Sequence, residues 1–418
     1  MATLDAKPDA APEHGRFEAL RALDQRDFRL LWLNAASFFL GRSMQMVVVS
    51  WLVLDLTDSA ALVGAVLFAQ GAPLALFSLP AGVWADRLDR RLLLIASQVG
   101  ALAATAVLMG LVLGDVVTTW AIFVLSFLGG CAMALGQPSR QALVPALVGP
   151  DRLLNAIVLN NLVQNLSFVV GPALAGGLLA LVDFEGAFIA QVAILAVGVP
   201  WLLAMRTPAV ERRPERRSPV QEVREGLAHI GESPFIRSLF VVTAFTGIFF
   251  VGTYQAIIPV FARDVLDVGA TGLGFLNAAF GTGMFAGSVF IASRGNFERK
   301  GDVLLRSLLI GAGVFAVFAV SRWYALSLVM MVAWGFGAAF FMNLTITLIQ
   351  SHTPDRLMGR VMSVQALAFY GVSPIGNLVA GGLAQGVSAP ASALVGSVAV
   401  AAMAVFFFAT QPRLRAAT

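Results

Sequence analysis

The sequence predicts an all-α integral membrane protein with twelve transmembrane helices in two repeated six-helix halves. Three observations lead there. First, the 418-residue chain is 58% hydrophobic and only 12% charged, where soluble domains are roughly 45–50% apolar, and its mean hydropathy is +0.82. Second, its apolar residues fall in runs long enough to cross a hydrocarbon core, which takes about 20 residues as a helix. Third, its Lys and Arg residues gather in alternate loops. Only helices or closed barrels satisfy the backbone in lipid. These runs are too long and continuous for barrel strands, which alternate over about ten residues.

In order, the spans are read at 28–54, 60–84, 92–113, 118–138, 153–181, 186–205, 236–262, 271–293, 303–320, 323–349, 357–385 and 390–410. A tail, 1–27, precedes the first half, 28–205. It is polar and mixed in charge, and the first apolar run is too long for a signal-peptide core, so no cleavable signal is expected. A linker, 206–235, carries Pro208, Pro214, Pro219 and Pro234 among alternating Arg and Glu. Within it, Val220–Ile230 reads either as a surface helix on the membrane or as a solvated connector. The second half, 236–410, ends in the short tail 411–418.

Charge then orients the chain. An even span count puts both termini on one side, and 25 of the 28 Lys and Arg residues fall there, Arg140 after span 4 among them. Arg263 and Arg322 lie opposite, and Arg42 lies inside span 1. Basic loops stay inside. Both termini and the linker are therefore expected in the cytoplasm, with the chain in a bacterial inner membrane. The net charge of +4 reports topology and some attraction to anionic lipid. It requires no nucleic-acid partner.

Other chemistries lack their residues. The single Cys131 lies in an apolar run, and His14, His229 and His352 are scattered, which leaves no disulfide framework and no metal cluster. The spans hold no grouped His or carboxylate for a membrane enzyme. No nucleotide-binding fingerprint or cofactor motif is present. A sensor would need more than tails of 27 and 8 residues. A monomer is expected.

The halves repeat. Pro150-Asp151-Arg152 returns as Pro354-Asp355-Arg356, and Ala175-Gly176-Gly177 as Ala380-Gly381-Gly382, at offsets of 204 and 205 residues. Gly64 and Gly71 align with Gly274 and Gly281 at an offset of 210. Repeated halves place a substrate site at their interface.

Polar residues trace a path. Spans 9 and 12 have no Asn, Gln or charged residue in their cores, and spans 3 and 6 have only Gln98 and Gln191. These four read as lipid-facing supports. Cavity candidates are Arg42 and Gln45 in span 1, and Asn160, Asn161, Gln164 and Asn165 in span 5. Tyr254 and Gln255, Asn277, Asn343, Gln365 and Tyr370 follow in spans 7, 8, 10 and 11. Asn161, Gln164, Asn165 and Phe168 share one helical face. Each amide serves either the cavity or an interhelical hydrogen bond. Arg42 is the sharpest of them, because an arginine at mid-span costs roughly 2.5–3.5 kcal/mol and no Asp or Glu sits at its depth. It meets either amides and water or an anionic substrate group.

Two motifs carry a family resemblance. Gly82-Val-Trp-Ala-Asp86-Arg87-Leu-Asp89-Arg90-Arg91 packs five charges into six residues between spans 2 and 3. It is similar to the span 2–3 loop of major facilitator superfamily transporters, with Gly82, Asp86, Arg87, Arg90 and Arg91 matching. Asp89 stands where glycine is usual. The loop either sets topology or acts as a gate, and both can hold. Gly171-Pro172-Ala-Leu-Ala175-Gly176-Gly177 resembles the antiporter motif of span 5 through Gly171, Pro172 and Gly176, with Ala175 departing. Gln137-Pro138-Ser-Arg140-Gln141-Ala-Leu-Val-Pro145 and Trp51-Leu-Val-Leu-Asp55-Leu-Thr57-Asp58-Ser59 narrow the likeness to the twelve-helix exporters of siderophores and macrolides. The resemblance runs from about residue 20 to 410. It implies efflux of small amphipathic molecules by alternating access, driven by an ion gradient, usually protons. A nutrient importer of the same fold is the alternative. In the family, an arginine in span 4 often assists proton transfer, and Ser126-Phe-Leu-Gly129-Gly130 has none. Thr353-Pro354 reads as the cap and first position of span 11, where Asp86 would dock while Arg87 and Arg90 bridge the halves.

Overall fold

The structure, a computed structural model, describes residues 18–207, 219–294 and 297–417, and it is helical throughout, with no strand among the described residues. Twelve apolar helices follow one another. They are α1 (Arg26–Thr57), α2 (Ala60–Arg87), α3 (Arg90–Leu113), α4 (Thr119–Val148), α5 (153–181) and α6 (184–204). After the linker come α7 (Pro234–Val265), α8 (Gly269–Arg294), α9 (Lys300–Val320), α10 (Tyr324–Ser351), α11 (355–386) and α12 (Ala389–Thr410).

Local chemistry sets the starts. Ser59, Thr118, Ser233 and Ser388 each accept a backbone N–H from the first turn of α2, α4, α7 and α12, which satisfies a donor the helix leaves open. Asp89 does the same for α3 through the N–H groups of Arg91 and Leu92. Its φ is −62°. The turn where the family has glycine is thus made by an N-cap.

The helical run from 153 to 204 is 52 residues long. Straight, it would span about 78 Å, far beyond the bilayer core. Val182 (φ −142°, ψ 20°) and Asp183 (φ 54°, ψ −167°) fold it back on itself. Both arms then pack on α1. Trp32 and Ser43 donate to the carbonyls of Leu159 and Ser167 on α5, so the two helices run parallel. Asn34 and Ser37 donate to Gly198 and Ile194 on α6, which runs antiparallel. Asp58, Asp115, Asp183 and Asp267 all have φ near +50°, a left-handed conformation that aspartate tolerates better than most residues. They make the α1–α2, α3–α4, α5–α6 and α7–α8 turns, all at the end away from the termini.

Three sequence expectations change. Span 4 does not stop at Pro138, because α4 continues through Pro138 and Pro145 to Val148. Arg140 is therefore not a loop residue but lies inside α4, 3% exposed. Thr353 does not cap α11, since its hydroxyl bonds back to the carbonyl of Ile349 on α10 and the helix opens after Pro354. The linker stretch forms a helix, Pro219–Glu232, seated on protein. Glu225 pairs with Arg360 of α11, Gly226 lies against the Arg360 backbone and Ile230 is buried.

Candidate functional site

The halves meet through backbone. The Gly64 Cα of α2 lies against the Asn377 carbonyl and Gly381 of α11. At the equivalent place, Gly274 of α8 lies against the Pro172 carbonyl and Gly176 of α5. One step further along, Gly71 meets Pro374 and Gly281 meets Val169. Partners at offsets of 210 and 205 residues thus build one crossing twice. No side chain separates the helices there, so they approach closely. In the span 5 motif, Gly171 packs on Ser43 of α1 and Gly176 makes the crossing to α8, while Gly177 has nothing within 4 Å. Ala175, the departure, is fully buried.

Both crossings lie in the half of the bundle away from the termini. At that same end Arg263 of α7 reaches α1. Its Nη1 donates to the Leu54 carbonyl at 2.6 Å and pairs with Asp58 at 2.9 Å, and its Nε holds Asp264 at 2.6 Å. Toward the termini, Asn161, Leu162, Asn165, Leu166 and Phe168 of α5 are exposed. On that side the linker helix, seated on α11, reaches α2. An Arg263→Ala change should loosen the closed end. In a Cys131→Ser background, a cysteine at Thr271 should then react roughly threefold faster or more with an impermeant maleimide. Asp58→Asn should do less, because Asp58 is 85% exposed. Equal rates would show that Arg263 holds nothing shut.

The cavity candidates fall into two groups. On the first half, Asn161 and Asn165 are exposed and Asn160, Gln164 and Arg42 half-buried. Gln45 is buried, its amide near Gly129 of α4. On the second half the polar groups are tied to one another. Tyr254 donates to Asn277 at 2.5 Å, Asn377 to Gln255 at 3.2 Å and Gln365 to Thr243 at 3.4 Å. Asn343 bonds its own helix at Ala339 and is exposed, as is Tyr370. Behind Tyr254 stands an aromatic wall, with Phe280 and Trp334 at ring distances of 4.7 and 5.4 Å. Here α7 and α11 carry π-helical turns at Gly247–Gly252 and Leu367–Gly371, irregularities that cluster where helices must bend or bind.

The α2–α3 loop is only partly described. Gly82, Asp86 and Arg87 lie outside the described side chains, although the α2 backbone runs through Arg87. Arg90 has a partner. Arg91 turns within its own half, its Nε donating to the Leu202 carbonyl at 2.9 Å. That guanidinium caps the C-terminal end of α6, where cations are favoured.

The sequence reading missed one residue of weight. Arg140 donates to the Asn34 Oδ1 at 3.0 Å, and its guanidinium lies 5.3 and 5.4 Å from the Phe38 and Phe39 rings. Asn34 in turn donates to Gln98, and Gln98 to the Leu195 carbonyl. This buried chain ties α4, α1, α3 and α6. The apolar residues after Pro138 were the signal that α4 continues.

Comparisons with known proteins agree with this architecture. The family model described as transmembrane secretion effector matches residues 18–417. Macrolide efflux protein A of Streptococcus pyogenes is 23% identical over 374 residues, 84% of this chain and 88% of the relative. The multidrug efflux pump Tap of Mycolicibacterium fortuitum is 27% identical over 390 residues, 90% of this chain and 93% of the relative. The crystal structure of a bacterial homologue of the human lysosomal transporter Spinster, inward-facing and occupied, superposes with a TM-score of 0.72 at 17% identity, covering 93% of this chain and 97% of that one. Twelve apolar helices, two glycine-built crossings and a family match across nearly the whole length lead to one conclusion: the chain belongs to the transmembrane secretion effector family and is a multi-pass major facilitator transporter of the efflux type.

Proposed function

We propose that the chain exports small amphipathic molecules, of drug or siderophore type, from the cytoplasm of a bacterium by alternating access, exchanging them for protons across the inner membrane. The observation that carries this reading is the asymmetry of the interface. The halves are sealed by two backbone crossings and Arg263 at the end away from the termini, while the polar face of α5 stands exposed toward the termini. With the termini in the cytoplasm, as the Lys and Arg distribution supports, this is a cavity open to the inside. The substrate meets the amides of α5 on one wall and Tyr254 and Phe280, backed by the buried Trp334, on the other. The names of the relatives, efflux proteins both, support the outward direction. The test is uptake into inside-out vesicles with and without an imposed proton gradient, over a panel of siderophores, macrolides and dyes. Gradient-dependent accumulation is the expected result. Uptake of none of them, with the protein folded, would refute the reading.

The α2–α3 loop is the proposed latch of the opposite state. There Asp86 docks at the start of α11, whose free N–H groups favour a carboxylate. Asp86→Asn should slow vesicle uptake several-fold at an unchanged amount of protein in the membrane, and unchanged uptake would discard the latch.

A further inference from the structure

Two arginines stand in the middle of the first half without a carboxylate. Nη1 of Arg42 and Nη1 of Arg140 are both buried and have no hydrogen-bond partner among the described residues. Neither belongs to any ion pair described. No Asp or Glu occupies the middle of a span. A buried cation left unpaired is costly, so its retention calls for a partner that comes and goes.

The register of α1 places the two together. Trp32 and Ser43 face α5 through their bonds to Leu159 and Ser167, and Gln45 faces α4 at Gly129. At about 100° per residue, Arg42 points between these directions, about 60° from Gln45 and about 100° from Ser43. That sector points away from α6, which Asn34, Ser37 and Gly41 face. Phe38 and Phe39 bracket the same sector, and the Arg140 guanidinium sits over both rings. Phe38 precedes Arg42 by one turn, about 6 Å along the axis. Arg42 and Arg140 thus share one wedge between α4 and α5, with Asn34 fixing the second guanidinium from behind.

The geometry points to a binding site in this wedge for the anionic head of an amphipathic substrate, a carboxylate or a comparably acidic group, held between Arg42 and Arg140. Its hydrophobic part extends toward the aromatic wall of the second half. The assignment rests on the export reading only for what happens to the ligand after it binds.

The probes are a pyrene-labelled fatty carboxylate, its amide and the matching amine. Binding to the purified protein is followed through quenching of its tryptophan fluorescence. The carboxylate should bind about tenfold tighter than the amide or better, with the amine weakest. Arg42→Gln and Arg140→Gln should each remove about that factor for the carboxylate and leave the amide unchanged. Should Arg140→Gln fail to fold, Arg140→Lys keeps the charge and must keep the preference. Equal binding of acid and amide, tighter binding of the amine, or no binding of any probe overturns the site. Gradient-driven uptake of the same probes into inside-out vesicles is read separately. Preference without uptake overturns export and keeps the anion site, while uptake blind to charge does the reverse.

Discussion

Leucine at Gly176 or Gly381 should abolish transport, and leucine at Gly177 or Gly382 should not. The two positions of each pair differ by one residue and by everything that surrounds them. A Cβ at Gly176 would run into the Ala270 carbonyl and the Gly274 backbone, and one at Gly381 into the Ala60 carbonyl and the Gly64 backbone. Backbone cannot step aside as a rotamer can. The crossing must open, and with it the seal between the halves. Overpacking of this kind costs about 1–3 kcal/mol or more, which at about 1.4 kcal/mol per factor of ten withdraws most of the closed state. Uptake per molecule should fall about fivefold to more than a hundredfold. Gly177 and Gly382 have no neighbour within 4 Å, so leucine there should stay near wild type. Thermal unfolding in detergent separates lost gating from lost fold. A uniform loss across all four variants would mean that the doubled glycines serve helix formation or insertion instead.

Asn34→Leu should destabilise the first half by about 1–3 kcal/mol, and Arg140→Leu in the same chain should restore part of it. Asn34 is fully buried and gives its oxygen to Arg140 and its amide to Gln98 and Gly198. Removing it leaves a guanidinium with only two aromatic faces for company. Removing the guanidinium as well leaves an apolar patch, which a packed interior tolerates better than an uncompensated charge. The measurement is a double-mutant cycle on the unfolding midpoint. Strict additivity of the two substitutions would show that the contact carries no coupling.

Much of this was legible in advance because period and polarity act over whole spans. Twenty apolar residues announce a helix whatever their neighbours do, and the return of Gly64 and Gly71 as Gly274 and Gly281 marked the repeat of the halves. What failed was local. Pro138 suggests a helix end, yet a membrane helix absorbs a proline where packing supplies the lost bond, and so Arg140 was placed in water. Thr353 looks like a cap, but a hydroxyl chooses among nearby acceptors, and the Ile349 carbonyl is one turn behind it. For the amides of α7, α8 and α11 the sequence left cavity and interhelical bond open, and here Tyr254 bonds Asn277, Asn377 bonds Gln255 and Gln365 bonds Thr243. Spacing along one helix cannot say which polar groups on other helices will find them.

The left-handed aspartates at the turns have a further consequence. Asp58, Asp115, Asp183 and Asp267 are exposed there beside Asp55, Glu185 and Asp264, with only Arg263 and Arg322 of opposite sign at this end of the bundle. A face so charged repels anions within a Debye length, about 8 Å in physiological salt. On the proposed export reading, an acidic product released there is pushed off rather than held, and its local concentration at the exit falls below that of the bulk. Rebinding from that side slows most in dilute media. Turn geometry, set by a backbone angle, in this way also gives one end of the bundle a negative field.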